Sequence, residues 1–154
     1  MGVSQGGLMA RYMVEECNIA GLSGAKPQTT VRNLLTIGTP NMGFTEIPAG
    51  GCQSLAIKKE LNQLCTFEKA ILNNLAYTPA IQKTVSCAGY YRNTNNIDEY
   101  KKGSTFLAKL NNEVGQGTEE YEKRRERMQN LNQAMFVMFN KDEIVYPQSS
   151  EIFG

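Results

Sequence analysis

Residues 2–7 of the chain read GVSQGG, a G-x-S-x-G pattern extended by one further glycine. In this pattern a serine occupies a sharp turn between a strand and a helix, and the residues two before and two after it are small because the turn is too tight for side chains. The turn exposes the hydroxyl of Ser4, and the next backbone N–H, that of Gln5, lies where an oxyanion would form. The pattern therefore predicts a strand, a strained turn and a helix.

The residues that follow continue this order of elements. Apolar residues recur at helical spacing over 6–17, and the β-branched, leucine-rich stretch 31–37 predicts a strand that stops at the loop 38–43, GTPNMG. Strand, turn, helix and strand in this order predict the parallel sheet of an α/β fold. Only Met1 precedes the glycine pattern, so we expect the chain to be an internal piece of a longer protein, with its earlier strands upstream.

From residue 44 to about 133 the pattern favours several short helices and no strand. Thr78 is followed by a proline and is typical of a helix start. Ser104 is the predicted cap of the next helix. Thr118 precedes a charge-rich helix, with acidic residues first and basic residues later, as the helix dipole prefers. We expect that charge-rich helix to present a solvated face.

Composition limits the class of protein. The 154 residues suffice for one domain, and 41% hydrophobic with 20% charged residues is typical of a soluble globular protein. The net charge of +1 argues against a nucleic-acid-binding protein, which usually needs a basic face. We find no apolar run long enough to cross a membrane and no apolar core of a signal peptide.

Histidine is absent from the chain, although a Ser–His–acid triad needs an imidazole to accept the serine proton. The chain cannot supply that group, and zinc sites that use histidine are excluded as well. The four cysteines form no C-x-x-C motif, so zinc ribbons and thioredoxin-type sites are not expected. Cys52 and Cys65 flank a short segment, and their spacing allows either a local disulfide or buried thiols.

The apolar run 134–139, AMFVMF, predicts a buried strand that ends in a polar turn. In an α/β-hydrolase the triad residues follow in the order serine, acid, histidine, and the acid follows a later strand of the core. Asp142 lies directly after this run and is the candidate acid, although aspartate is also a common turn residue. Glu143 is a rival, and Asp98, in a loop of the helical region, is a weaker one.

Three segments together resemble the lysosomal type of palmitoyl-protein thioesterase, a family within the α/β-hydrolase superfamily. They are the GVSQGG turn, the loop 38–43, and the closing segment 139–154, FNKDEIVYPQSSEIFG. The closing segment is similar to the family pattern F-x-x-D-x-I-V-x-P-x-x-S-E-x-F-G, which is far more specific than the serine turn. The stretch 104–111, STFLAKLN, also looks similar to the family. The resemblance covers essentially the whole chain.

The resemblance implies roles for individual residues. Ser4 matches the nucleophile, Asp142 the triad acid, and Gln5 the residue whose N–H helps to form the oxyanion hole. Residues 1–154 would form a single partial α/β-hydrolase domain, in which 44–133 is a helical insertion that builds an apolar groove for a fatty acyl chain. The family's histidine would lie beyond the end of the chain, so we expect the 154 residues alone to be inactive.

The resemblance also bears on the cysteines and on location. Cys52 and Cys65 fall where the family has a local disulfide, and Cys17 matches a cysteine whose disulfide partner lies upstream. Cys87 has no counterpart in the family that we can place. Lysosomal or secretory-pathway localisation is implied by the resemblance alone.

The resulting hypothesis is a serine thioesterase that removes fatty acyl groups from S-acylated cysteines, with S-acylated proteins or peptides and long-chain acyl thioesters as substrates. No metal or organic cofactor is implied. A lipase or carboxylesterase would use the same machinery on oxygen esters. A protein that binds acyl chains without hydrolysing them is the remaining alternative, because the chain has no histidine.

Overall fold

The computed structural model describes residues 1–16, 31–46 and 75–154. The strands in these residues are β1 (Gly2–Val3), β2 (Asn33–Ile37) and β3 (Gln133–Val137). They form a parallel sheet with β2 between the other two. Thr36 pairs with Gly2 on one side and with Phe136 on the other, so the three strands end at the same edge of the sheet. The predicted α/β class is confirmed for the described residues.

Helix α1 (Gln5–Glu15) connects the end of β1 to the segment before β2. Its apolar spacing buries Leu8 and Val14, while Met9 and Met13 on the opposite face are exposed. The helix begins one residue earlier than predicted and ends at Glu15 rather than at residue 17. The sequence pattern thus identified the helix, but three of the five apolar residues at helical spacing, Met9, Tyr12 and Met13, are exposed.

Helices make up the regular structure between residues 75 and 132, apart from a single bridge between Phe44 and Tyr91. They are α2 (Pro79–Thr84), a 3-10 helix (Ser86–Tyr90), α3 (Ile97–Gly103), α4 (Leu107–Leu110) and α5 (Glu119–Gln129). A further 3-10 helix (Gln148–Ile152) follows β3. The prediction of several short helices is confirmed where this region is described.

The predicted helix starts have mixed outcomes. Thr118 caps α5, and its hydroxyl accepts the N–H of Tyr121 at 3.3 Å. Thr78 stands at the start of α2, but its hydroxyl donates to the Leu75 carbonyl instead of capping the helix. Ser104 directly follows α3 and lies three residues before α4, yet its hydroxyl accepts the N–H of Ala108 in the first turn of α4 at 3.2 Å, so the predicted cap is confirmed.

Two apolar clusters join the helical region to α1 and to the loop after β2. The larger one packs Leu8 of α1 against Tyr100 of α3 and Leu107 of α4. The second surrounds Phe44 and Tyr91, which come from the loop after β2 and from the helical region. Both clusters therefore fix helices of the 75–132 region beside α1 and beside the loop that follows β2.

Strand β3 differs from the prediction in its burial. It runs over Gln133–Val137 rather than 134–139, and Met135 is 61% exposed. The continuous apolar run suggested burial on both faces, as in the middle of a parallel sheet. Among the described residues β3 has a strand neighbour on one side only, whereas β2 has two neighbours and buries Leu34 and Thr36.

Helix α5 is mostly solvated, as its charge pattern predicted, but it buries Arg124. The Arg124 guanidinium forms an ion pair with Glu16 at 3.0 Å and donates to the Asn112 side chain at 2.9 Å.

The predicted disulfide between Cys52 and Cys65 lies outside the described residues, as does Cys17. In the part of the chain that is described, no helix is both long and apolar enough to cross a bilayer.

Candidate active site

Ser4 lies in a strained turn between β1 and α1. Its φ is 51° and its ψ is −132°, a conformation that costs a non-glycine residue about 1–3 kcal/mol. The Ser4 N–H donates to the carbonyl of Ile37 at 2.9 Å, and its carbonyl accepts the N–H of Gly7 at 2.9 Å. Its side chain makes no capping hydrogen bond to α1 and is exposed. The backbone therefore fixes the turn and presents the hydroxyl to solvent.

The glycines around Ser4 differ in whether a side chain would fit in their place. A Cβ on Gly2 would lie 2.4 Å from the Gly6 carbonyl oxygen, so the turn excludes a side chain there, as predicted. A Cβ on Gly7 would lie 1.9 Å from Oγ1 of Thr39, in the loop after β2. A Cβ on Gly6, by contrast, would meet no described atom within 4 Å, so the prediction that the turn excludes a side chain at Gly6 is wrong.

Gln5 is the first residue of α1. The first N–H groups of a helix have no partner within the helix, and the helix dipole makes this end attractive to negative charge. The Gln5 amide therefore belongs to the N–H groups at this end of the helix. This is the chemical property that an oxyanion-hole donor requires.

Asp142 lies five residues after the end of β3 and is half-buried. Its Oδ1 accepts the backbone N–H groups of Ile144 at 2.6 Å and Val145 at 2.9 Å. The Asp142 N–H donates to the carbonyl of Phe139 at 3.1 Å, which closes the turn. Two amide donors on one oxygen hold the carboxyl group in one orientation.

The rival acids lie in different surroundings. Glu143 is exposed on the outside of the same turn. Asp98 stands in the first turn of α3, not in a loop, and lines a separate depression with Tyr77 and Lys102. None of the three acids lines the cavity beside Ser4, but Ile144 and Val145, whose N–H groups donate to Asp142, do line it.

That cavity has a volume of about 120 Å³. Its wall brings together the Ser4 turn, the loop after β2 and the segment after Asp142, with a tyrosine from the helical region. The lining residues are Ser4, Gln5, Pro40, Phe44, Tyr90, Ile144 and Val145. Most of the lining residues besides Ser4 and Gln5 are apolar, so the cavity can take an apolar group beside the serine.

A buried arginine fixes α1 beside this site. Arg11 donates to the carbonyl of Asn41 at 3.1 Å and to the carbonyl of Leu110 at 3.2 Å, and its guanidinium lies over the ring of Phe153. It also forms an ion pair with Glu15, and burial raises the pKa of Glu15 to about 7 although the arginine lowers it. Arg11 thus connects α1 with the loop after β2 and with α4.

Sequence reasoning missed three of the residues that build the site, namely Arg11, Asn41 and Glu151. Asn41 donates to Oγ1 of Thr36 at 3.2 Å and to the Glu151 carbonyl at 2.6 Å, so it links β2 with the last 3-10 helix. Asn41 and Glu151 both lie inside motifs that the sequence singled out. The signal for Arg11 is its place on the buried face of α1, four residues before Glu15.

Comparison with known proteins matches residues 1–154 to the family model described as "Palmitoyl protein thioesterase". A palmitoyl-protein thioesterase–dolichyl pyrophosphate phosphatase fusion of Schizosaccharomyces pombe is 32% identical over all of this chain and 22% of its own length. Palmitoyl-protein thioesterase 1 of Caenorhabditis elegans is 30% identical over all of this chain and 45% of its own length. A lysosomal thioesterase of Xenopus laevis is 27% identical over 98% of this chain and 45% of its own length.

The chain thus spans less than half the length of these relatives. The family match extends over the serine turn, the loop after β2 and the segment that carries Asp142, which are the parts of the chain that meet at the cavity. The chain belongs to the palmitoyl protein thioesterase family.

Proposed function

We propose that this chain carries the nucleophile and the acid of a serine thioesterase that removes long-chain fatty acyl groups from S-acylated cysteines of proteins or peptides. The observation that carries the proposal is the strained Ser4 turn, which opens on an apolar cavity bordered by the Asp142 turn. Family membership supports the reaction class. The partial α/β-hydrolase fold, in which 44–133 is an insertion, is part of the same proposal.

In this mechanism the Ser4 hydroxyl attacks the thioester carbonyl and forms an acyl-enzyme, and the cysteine thiolate leaves. The N–H of Gln5, at the start of α1, is one donor to the tetrahedral oxyanion. Asp142 orients a histidine that accepts the Ser4 proton and stabilises the imidazolium. This sequence contains no histidine, so the imidazole has to come from outside these 154 residues. Water then releases the fatty acid.

The lining and the volume of the cavity indicate which part of the acyl chain it would hold. Phe44, Tyr90 and Ile144 provide apolar surface beside the serine, and each buried methylene contributes about 0.8 kcal/mol. A volume of about 120 Å³ is well below the roughly 300 Å³ and more of pockets that enclose a whole drug-sized ligand. We therefore assign the cavity to the carbons nearest the carbonyl, and assign the rest of the chain to the surface of the helical region.

The test uses the full-length natural protein that contains this chain, and measures hydrolysis of palmitoyl-coenzyme A and of an S-palmitoylated peptide. We expect Ser4→Ala to abolish both activities. Ser86→Ala, which changes an exposed serine of the helical region, is the matched control and keeps them. Faster hydrolysis of triglyceride than of thioester would support the lipase alternative. Binding of a fatty acid without any turnover would support the non-catalytic one.

Lysosomal localisation is proposed from the relative of that name in Xenopus laevis. Co-localisation of the full-length protein with a lysosomal marker tests it.

A further inference from the structure

The turn that carries Asp142 is held by the 3-10 helix Gln148–Ile152, which follows it in the chain. Gln148, the first residue of that helix, donates from its side-chain Nε2 to the Asp142 carbonyl at 2.8 Å. Glu151, near the end of the helix, accepts the N–H of Phe139 on its Oε2 at 3.1 Å. Phe139 accepts the N–H of Asp142 and so forms the other end of the turn. Two side chains of the helix therefore hold the two ends of the turn.

The two carboxyl oxygens of Asp142 have different surroundings. Oδ1 accepts the N–H groups of Ile144 and Val145, which use both acceptor positions of that oxygen. Oδ2 lies near the end of β2, at 3.8 Å from the position that a Cβ on Gly38 would take. Under the proposed function, Oδ2 is therefore the oxygen that accepts the imidazole N–H.

The position of Oδ2 depends on the backbone of Asp142. A single methylene group joins the carboxyl to the backbone, so rotation of the peptide group that bears the Asp142 carbonyl also displaces Oδ2. The next two residues, Glu143 and Ile144, are exposed, so packing does little to hold this peptide group from outside. The hydrogen bond from Gln148 opposes the rotation.

The 3-10 helix that carries Gln148 is itself fixed to the loop after β2. The Met42 N–H donates to the carbonyl and to the hydroxyl of Ser150, at 3.1 Å in each case. The Asn41 side chain donates to the carbonyl of Glu151 at 2.6 Å. The same loop contributes Pro40 to the cavity beside the serine turn. Gln148 therefore holds the Asp142 carbonyl from a helix whose position is set by a wall of that cavity.

We propose that Gln148 is a positioning residue for the triad acid: its side-chain amide holds the Asp142 carbonyl, so that the carboxylate keeps one orientation toward the imidazole. The inference rests on the proposed function, because it assumes that Asp142 is the triad acid. Gln148 is not one of the residues that line the cavity beside Ser4, so it acts through Asp142 and not through the substrate. Unlike the amides of Ile144 and Val145, this donor belongs to a side chain, and a substitution removes it.

The test is Gln148→Met in the full-length natural protein, with palmitoyl-coenzyme A as the substrate. Methionine is unbranched and similar in length to glutamine, but it has no N–H to donate. We expect kcat to fall by about 10- to 100-fold with little change in KM, because a misplacement of about 1 Å in a catalytic group has an effect of this size. An unchanged kcat in folded Gln148→Met would overturn the inference.

Gln148→Glu is a second variant that serves even if Gln148→Met does not fold. Glutamate has nearly the shape of glutamine, but its ionised carboxylate only accepts hydrogen bonds and cannot donate to the Asp142 carbonyl. We expect kcat to fall in this variant as well, and a kcat equal to that of the wild type would contradict the role of the Gln148 amide.

The pH dependence of kcat/KM separates positioning of the acid from a general loss of stability. A carboxylate beside an imidazole raises the pKa of the imidazole, and this pKa sets the acidic limb of kcat/KM against pH. We expect the limb to move to lower pH in Gln148→Met, because the Asp142 carboxylate is then less well placed beside the imidazole. A slow variant whose acidic limb stays at the wild-type pH would overturn the inference.

Gln82→Met is the matched control. Gln82 is half-buried like Gln148, and its Nε2 donates to the carbonyls of Ala76 at 2.7 Å and Ala88 at 2.8 Å, within the helical region. We expect the control to lower the melting temperature and to keep both kcat and the acidic limb. A control that is as slow as Gln148→Met would contradict a specific role for Gln148.

Asp142→Asn separates failure of this inference from failure of the proposed function. Since Gln148 is inferred to act through the Asp142 carboxylate, Gln148→Met should have little further effect on kcat in the Asp142→Asn background. An equal fall in kcat in both backgrounds refutes the positioning role alone. A normal kcat in Asp142→Asn, or an active Ser4→Ala, refutes the proposed function itself.

Discussion

The two neighbouring glycines after the serine turn, Gly6 and Gly7, are expected to respond in opposite directions to the same substitution. Both lie in the first turn of α1, and neither has a positive φ, so the backbone of both accepts alanine. In Gly6→Ala the new Cβ meets no described atom within 4 Å. Alanine is the better helix former, so we expect the free energy of unfolding to rise by up to about 1 kcal/mol.

In Gly7→Ala the new Cβ would lie 1.9 Å from Oγ1 of Thr39 and 2.7 Å from its Cβ and Cγ2. An ordinary contact begins near 3.4 Å, so the Thr39 hydroxyl or the backbone of α1 would have to move by about 1.5 Å. Thr39 is 0% exposed, so neighbouring residues would have to move with it. We expect Gly7→Ala to lower the free energy of unfolding by about 1–3 kcal/mol, as overpacking of a core commonly does.

The measurement is urea unfolding of the full-length protein, followed by far-ultraviolet circular dichroism because this chain has no tryptophan. Thr39→Ala in the Gly7→Ala background removes Oγ1 and Cγ2, so the double variant is expected to lose less stability than the sum of the single variants. Equal effects of Gly6→Ala and Gly7→Ala would refute the reasoning, because the contact with Thr39 is the difference between the two sites.

Three further predictions concern single side chains. The pKa of Glu15 is raised to about 7 from an unfolded value of 4.5, so the folded state binds this proton more tightly than the unfolded state does. The stability that the proton provides is therefore present below pH 4.5 and is lost as the pH rises to about 7. Between pH 5 and 8 the melting temperature of the wild type should therefore fall more than that of Glu15→Gln, and an equal fall in both would contradict this sign. Tyr100→Phe removes the buried hydroxyl that donates to the Glu113 carboxylate, and we expect the free energy of unfolding in urea to fall by about 1–3 kcal/mol. An unchanged free energy of unfolding would show that Glu113 is satisfied by its ion pair with Arg92. Asp142→Asn in the full-length protein should lower kcat by about 10⁴-fold without lowering the melting temperature much, whereas a kcat within tenfold of the wild type would exclude Asp142 as the triad acid.

The strained serine turn was predictable because its cause is local. A glycine two residues before Ser4 and a helix directly after it are needed for any chain that turns this sharply, and both needs are visible in six residues of sequence. The α/β order followed from the apolar periodicity of the next 30 residues. The cap at Thr118 is local in the same way, because it depends on the N–H of a residue three positions later.

The predictions that failed depend on tertiary contacts rather than on neighbouring residues. The apolar run at β3 suggested a buried strand, yet burial depends on which neighbours the described sheet provides on each side. Gly6 fits the motif as well as Gly7 does, and only the position of Thr39 distinguishes them.

By itself the sequence determined the class of fold, the strained turn at Ser4, the choice of Asp142 as candidate acid and the family, because these depend on neighbouring residues and on specific motifs. Only the tertiary structure decided how Arg11 reaches Leu110, 99 positions away, and how Asn41 reaches Glu151, 110 positions away. It likewise placed the buried Glu151 carboxyl against the N–H of Phe139, just before Asp142. Contacts over such separations are set by the packing of whole elements, which a local pattern does not encode.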